Sequence, residues 1–336
     1  TPAFRQLVDE LAWMFPGQLL PTRLPIGTPE VIRAVPRQRF VDFYRAWYRP
    51  ERATLIVVGD IDVADIERRI QAQFGDWRGV GPAGAPADQG KPAARTTDAD
   101  VFVDPAIAAA VRMAWVRQPD LRPDSAAKRA SDLEEALAAA ILNRRLEKLA
   151  QAETNPPFVS AQVGSSDLEK TAETTSIGTV ARLGDWRGAL RAIEQEQRRL
   201  VQFGVTPDEI EREVTGVRAA LQAGVAAAST RTSASLAEGL VGAVDREAVP
   251  TSPADRLTFF EEVAPTLTAE RIHAAARRLF TGSGPLVYLT LPRPLANARD
   301  VALATLRESQ KVALTPPLAR ERVAWPYESF GQPGTV

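Results

Sequence analysis

Side chains that could bind a metal or act as a nucleophile are scarce in this sequence. It has one histidine, His273, and no cysteine, which removes disulfides, cysteine-ligated metals and cysteine nucleophiles together. A second metal ligand on the helical face of His273 would stand four residues away. Those positions are Ala269 and Arg277, and neither binds metals. We therefore predict a histidine at the edge of an apolar helix face or in solvent.

A Ser-His-Asp arrangement that uses His273 stays open on the sequence alone. The Gly-x-Ser-x-Gly elbow typical of one class of hydrolases is absent. Replacing His273 by alanine would test this possibility, because an unrelated hydrolase that depends on it would lose its activity.

Three glycines, Gly79, Gly81 and Gly84, match the spacing Gly-x-Gly-x-x-Gly. A dinucleotide site needs a strand before this motif and a helix that opens within it. Here the motif follows a helical pattern and lies in a stretch rich in proline and alanine. Linker composition explains it better than a phosphate-binding loop.

Charged residues cluster in several places without forming a complete catalytic set. Carboxylates at 208–213 and at 261–262 lie at predicted helix ends, where the helix dipole favours them in a first turn. The arginine pairs at 144/145, 198/199 and 277/278 are interpreted as solvated helix faces rather than anion sites.

Composition excludes some broad classes of protein. The 336 residues include 41 basic and 42 acidic side chains, for a net charge of −1, which argues against nucleic-acid binding through bulk charge. No apolar run approaches the ~18 residues of a membrane-spanning helix, and no signal-peptide pattern opens the chain. Thr1 falls at the start of a helical pattern, so we expect that it is not the true N-terminus.

The first part of the chain predicts helices around a single strand. The run ATLIVVG at 53–59 is typical of a strand buried on both faces, and Asp62 can cap the helix that follows it. The aromatic residues of 37–48 fall on one helix face, and Pro50 stops that helix. The segments predicted here are helices at 2–15, 37–48 and 63–74, an irregular stretch at 16–35 and a linker at 79–99.

The second part predicts strands and a long helix, then a block of helices, then a last strand. Thr206 and Glu209 form a capping box with Pro207 at the first helical position. This segregated order favours an α+β fold over a doubly wound sheet. The segments predicted here are strands at 100–104 and 108–116, a helix at 124–152, a hairpin around 167–170, helices from 185, a strand at 285–292 and a weakly periodic tether at 305–336.

Residues 22–77 resemble the pitrilysin/insulinase family of zinc metallopeptidases, relatives of mitochondrial processing peptidase. The carrying motifs are TRLPIGTPEVI at 22–32 and FYRAWYRPERATLIVVGDID at 43–62, followed by a helix that ends in FGDW. ILNRRLEKL, AERIHAAARRLF and PLVYLTLP resemble the helices and closing strand of the next family domain. The resemblance implies a layered sheet with helices, as in mitochondrial processing peptidase, with one partial and one complete domain.

The family's catalytic chemistry uses His-x-x-Glu-His and a downstream glutamate, whose side chains bind zinc and activate water. This sequence contains no such motif, so no catalytic residue, cofactor-binding residue or metal ligand is carried over, and zinc is expected only in a parent protein. A second family feature is an Arg and a Tyr seven residues apart. Gln151 and Phe158 stand at those positions, and neither can do that job.

The resemblance therefore predicts a middle piece of a longer zinc metalloendopeptidase that hydrolyses peptides in a closed chamber. The predicted parts are residues 1–78 from the first peptidase domain, a linker at 79–99, a non-catalytic domain at 100–304 and a connector between halves at 305–336. This chain would form scaffold and chamber wall and be inactive alone. Its expected partners are the remaining halves of the parent or a paired family subunit, together with peptide substrate, and a periplasmic location follows from the bacterial relatives.

The alternative is a non-catalytic partner or structural subunit of the same family. A His-x-x-Glu-His motif encoded upstream of Thr1 would favour the peptidase. Under either reading, residues 1–78 pose a physical difficulty, because a lone strand leaves backbone groups unpaired on both edges. The hypothesis is that the missing strands belong to the parent, and that this chain either borrows pairing from a neighbour or packs abnormally.

Overall fold

The computed structural model describes residues 1–152, 154–168 and 170–317, and a five-stranded mixed sheet forms its centre. The strands are β1 (Asp98–Val103), β2 (Ala110–Arg117), β3 (Phe158–Leu168), β4 (Ala172–Ala181) and β5 (Ser283–Leu291). The helices are α1 (Pro2–Met14), α2 (Pro29–Ala34), α3 (Arg37–Trp47), α4 (Val63–Phe74), α5 (Ala126–Ala150), α6 (Trp186–Phe203), α7 (Pro207–Ala226), α8 (Ser233–Asp245), α9 (Pro253–Val263), α10 (Ala269–Leu279) and α11 (Ala298–Gln310).

The spatial order of the strands is β1-β5-β2-β4-β3. β1 runs parallel to β5, and the other neighbours are antiparallel. β5, the last strand in sequence, therefore inserts between the first two, and β3 forms one edge. This arrangement of a sheet with segregated helices confirms the predicted α+β class.

One face of the sheet carries the main core. Helices α5, α6 and α11 lie against it, α10 packs on α5 and α6, and all four contribute to a continuous apolar cluster. Met113 and Ile177 from the sheet and Leu142 and Ile193 from the helices are fully enclosed there. Their burial is the dominant favourable term that holds these layers together.

Helix α1 lies on the opposite face of the sheet. Met14 and Phe15 pack there against Ala114, Val116 and Leu286 in a second, smaller cluster. The ring of Trp13 lies 5.9 Å from that of Tyr288 on β5. The N-terminal helix is thus part of the sheet's packing, although residues 16–97 lie between it and β1.

The predicted buried strand at 53–59 is wrong for this chain. Residues 53–58 form neither helix nor strand, and Leu55 and Val57 are 57% and 44% exposed. Within the described residues, no strand pairs with this segment. The apolar, β-branched pattern favours a strand, but a strand forms only where neighbours accept its hydrogen bonds.

Other segments differ from the sequence prediction by smaller amounts. The stretch 16–35 contains a short helix, α2, whose N-cap Thr28 accepts a hydrogen bond from the Val31 N–H. The first residues of the predicted tether, 305–310, belong to helix α11, where Ala302 and Leu306 are buried against the core. β1 begins at Asp98, inside the predicted linker. The remainder of the predicted connector, from 318, lies outside the described residues.

Candidate functional site

His273 lies on α10 and is half-buried, at the edge of the face formed by Ile272, Ala276 and Leu279, as predicted. Its Nε2 is 2.8 Å from the backbone oxygen of Val201, near the C-terminal end of α6. Because a carbonyl oxygen only accepts, Nε2 carries the proton and donates. His273 thus ties two helices together.

The donor set of the described residues does not fit a zinc ion. Zinc sites in proteins hold three or four His, Cys, Asp or Glu ligands in close geometry. The described part of the chain contains no group of three or more such side chains that could hold a metal. His273 uses its Nε2 for the Val201 carbonyl.

The two positions that the resemblance aligns with the family's Arg and Tyr lie far apart in character. Gln151 caps the C-terminal end of α5 and is exposed, and its side-chain amide donates to Glu147 at 3.1 Å. Phe158 opens β3 and is fully buried in the main core. A side chain enclosed in this way offers nothing to a substrate. The pair therefore forms no polar site here.

The glycines at 79, 81 and 84 form no phosphate-binding turn. No helix opens among them, and the next regular element is β1. The stretch packs instead on the end of α3, where the Gly84 N–H donates to Ala46 O at 2.9 Å and Arg49 donates to Gly81 O at 3.0 Å. Residues 79–97 contain no helix or strand.

The interpretation of the arginine pairs as solvated faces is wrong for several of them. Arg145 is 7% exposed and donates two hydrogen bonds, of 2.8 and 2.7 Å, to the Glu209 carboxylate. Arg198 pairs with the buried Glu194 and also donates to Ser309 O at 2.9 Å. These arginines join helices that are distant in sequence, so the helix pattern alone could not reveal their partners.

The carboxylates of the 208–213 stretch have two roles. Glu209 completes the capping box with Thr206, as predicted. Burial acts to raise the pKa of Glu209, but hydrogen bonds from Arg145 and the Thr206 N–H outweigh it and hold the pKa below its usual value. Glu213 is buried and pairs with Arg144 of α5. The acidic stretch thus anchors α7 to α5.

A polar cleft of about 680 Å³ lies over the uncovered half of the sheet, beside α1. Its floor includes Gly164, Ser176 and Gly178, and its wall is formed by Gln6 and Glu10 of α1. None of these residues was predicted from the sequence. Their alternation along β3 and β4 with core-facing residues was the signal that could have found them.

Glu10 and Arg112 face each other in this cleft. Glu10 is 6% exposed, and its Oε1 lies 2.9 Å from Nη1 of Arg112. Burial raises the pKa of Glu10 above its usual value, although the Arg112 guanidinium acts to lower it and Asp9 adds to the rise. The cleft therefore combines a carboxyl group that resists ionisation with an arginine whose side chain is half exposed.

A second surface is strongly apolar. Phe40, Phe43, Tyr44 and Tyr48, along α3 and its C-cap, are each 58–64% exposed. Together with Val35 and Arg39 they line an open depression of about 690 Å³. Helix α4 buries no residue, and its Val63 is 74% exposed. The exposed apolar side chains of α3, of α4 and of the segment 53–58 are together called the apolar surface of residues 35–74.

A protein-family model described as "Peptidase M16 inactive domain" matches residues 34–217 of this chain, more than half of its length. The chain belongs to the peptidase M16 family. The predicted membership in the pitrilysin/insulinase group is thereby confirmed. What the family model covers is its inactive type of domain.

Curated relatives of this M16 chain include proteases. It is 39% identical over 49 residues to the probable zinc protease PqqL of Haemophilus influenzae, covering 15% of this chain and 5% of that protein. It is 26% identical over 246 residues to the chloroplastic stromal processing peptidase of Arabidopsis thaliana, covering 56% of this chain and 19% of that protein. The chain thus spans a small part of the relatives it matches.

Solved M16 structures share the fold. The periplasmic protease PqqL of Escherichia coli superposes with a TM-score of 0.83 at 16% identity, over 95% of this chain and 36% of that one. The separately solved first half of PqqL gives a TM-score of 0.81, over 94% of this chain and 69% of that one. At this identity the likeness shows the fold alone. No helix in the described part of the chain is long and apolar enough to cross a membrane.

Proposed function

We propose that this chain is a scaffold segment of an M16 zinc metalloendopeptidase and forms part of the wall of a chamber that encloses peptide substrates. In this proposal residues 1–78 belong to the first peptidase domain, 79–99 form a linker, 100–304 form a non-catalytic domain and 305–336 lead to a second half. The matched inactive-domain model and the likeness to the first half of PqqL support it.

The observation that carries the proposal is the apolar surface of residues 35–74. The run 53–58 has the composition of a central strand, yet no described residue pairs with its backbone beyond the Ala53 N–H, which donates to Pro50 O at 3.1 Å. Exposed apolar surface of the kind that lines the α3 depression marks an interaction site. Its occupant is polypeptide that supplies strands to both edges of 53–58, from the remainder of the parent peptidase or from a paired family subunit.

The chemistry of peptide hydrolysis is assigned to residues outside this chain. With one histidine the sequence cannot contain His-x-x-Glu-His, and His273 holds a backbone carbonyl. The zinc ligands would therefore come from another part of the parent. Alone, this chain contributes shape and packing and no catalysis.

The alternative of a non-catalytic partner subunit makes the same use of this fold. It differs in one observable: the parent gene would encode no His-x-x-Glu-His upstream of Thr1. Finding that motif supports the peptidase, and its absence supports the partner subunit.

An activity assay tests the proposal directly. The purified chain and His273→Ala are incubated with a quenched fluorogenic peptide and added zinc. We expect both to match the buffer control. Peptide hydrolysis by the purified chain that His273→Ala abolishes would contradict the proposal and favour a hydrolase that depends on His273.

A further inference from the structure

At the β3 edge of the sheet, a side chain makes hydrogen bonds that a neighbouring strand would otherwise make. β3 forms this edge and, among the described residues, pairs only with β4. At Val163, Oδ1 of Asn143 accepts from the backbone N–H at 2.7 Å, and Nδ2 of Asn143 donates to the backbone oxygen at 3.2 Å. Both backbone groups of one residue are thus satisfied by one amide.

The geometry of the antiparallel pair explains why Val163 needs such a partner. Alternate residues of an antiparallel strand direct both backbone groups to the same neighbour. Val163 stands opposite Ile177, but its N–H and C=O turn to Asn143 on α5. The side-chain amide has one carbonyl acceptor and an N–H donor, like a peptide group. Asn143 therefore reproduces what an added strand would offer at this position.

An unprotected edge strand is a template for pairing with other chains, and proteins guard such edges with lysine, proline or a covering element. The sequence of β3, FVSAQVGSSDL, contains no lysine and no proline. Its one charged side chain, Asp167, lies near the turn to β4. The middle of the edge is therefore protected by α5, through Asn143.

We propose that Asn143 closes the free edge of the sheet at Val163 against addition of a further extended polypeptide strand, including β3 of a second copy of this chain. The amide satisfies Val163 within the chain, so an incoming strand gains no hydrogen bonds there. Removing the amide opens the position.

A labelled peptide tests this inference. The probe is a fluorescein-labelled peptide with the sequence of residues 158–168, and its binding is followed by fluorescence anisotropy. Asn143→Ala is compared with the natural chain and with Gln151→Ala, a control at the C-cap of the same helix whose amide donates to Glu147. We expect at least tenfold tighter binding for Asn143→Ala alone. Equal binding by all three proteins, or an equal gain in Gln151→Ala, overturns the proposal.

Hydrogen exchange of the natural chain gives a second test, which holds even if Asn143→Ala fails to fold. Val163 and Ser165 lie two residues apart on the same strand. The Val163 amide donates to Asn143 and should exchange at least tenfold more slowly than the Ser165 amide. Exchange at the same rate would show that the edge is open at Val163 and overturn the proposal.

Discussion

The hydroxyl group of Tyr288 donates to the Asp9 carboxylate at 2.8 Å and thereby joins β5 to α1. Tyr288 is 2% exposed whereas Asp9 is exposed, so this bond is partly buried. Burial and the Asp9 carboxylate both raise the pKa of Tyr288 far above its usual value, which keeps the hydroxyl as a donor. This bond thus links α1, near the start of the chain, to the strand that comes last in the sequence.

Tyr288→Phe should reduce the free energy of unfolding by roughly 1.5 kcal/mol, the lower end for a hydrogen bond to a carboxylate, because the bond that is lost is only partly buried. Urea denaturation followed by circular dichroism measures the change. Tyr48→Phe serves as the control, since Tyr48 is 60% exposed, and should leave the midpoint nearly unchanged. Equal effects of the two substitutions would contradict the role given to the Tyr288–Asp9 bond.

The free energy of unfolding should depend on pH through the protonation of the Glu10 carboxyl group. Burial raises its folded-state pKa above 4.5, its unperturbed value, so the folded state holds this proton more tightly than the unfolded state. Stability from this group is complete below about pH 4.5 and is lost as the pH rises through the folded-state pKa. Each unit of raised pKa corresponds to about 1.4 kcal/mol.

Glu10→Gln removes this titration, so the stability of the natural chain relative to the variant should fall between pH 4 and pH 7. Urea unfolding at several pH values measures this difference. A relative stability that rises with pH would show that the Arg112 ion pair outweighs burial, and the sign assigned to the pKa shift would be wrong.

Removing Glu209 should be severe, because Arg145 would be left buried without its carboxylate. Breaking a buried ion pair from one side typically costs about 3–5 kcal/mol, and the capping box of α7 is lost as well. Glu261→Ala is the control, since Glu261 forms a more exposed pair with Arg218. We expect Glu209→Ala to lower the urea midpoint far more than Glu261→Ala. Comparable shifts would mean that the Arg145 pair contributes little.

Placing an arginine at 151 and a tyrosine at 158, the residues that the resemblance would suggest, should affect stability to different extents. Phe158→Tyr places a hydroxyl where the ring is fully enclosed, and a buried polar group without a partner costs about 1–3 kcal/mol. Gln151→Arg changes an exposed C-cap and should be nearly neutral. Thermal unfolding separates the two. A Phe158→Tyr variant as stable as the natural chain would show that Phe158 has room for the hydroxyl.

Sequence reasoning succeeded where local patterns decide the structure. The capping box at Thr206 and the turn between β3 and β4 depend on residues close in the chain, and both were predicted. The position of His273 at the edge of its helix face followed from the 3.6-residue period. Resemblance supplied the family, which the residues alone did not.

Sequence reasoning failed where a partner distant in the chain decides the outcome. The run at 53–59 has strand composition, but pairing depends on neighbours that the pattern cannot supply. Arg145 belongs to a helix pattern that gives no sign of Glu209. No local sequence pattern indicates the role of Asn143, because its hydrogen-bond partner Val163 lies twenty residues further along, on a strand. The cleft beside Glu10 is likewise formed by α1 and four strands, which come from distant parts of the chain.

Bound zinc per chain is the measurement that tests the central claim most directly. The purified protein is dialysed against metal-free buffer after exposure to zinc and then analysed for metal content. The scaffold account predicts close to zero zinc per chain, with no change in His273→Ala. Close to one tightly held zinc per chain, lost in His273→Ala, would mean that this chain builds its own metal site, and the assignment of the zinc ligands to the rest of the parent protein would be wrong.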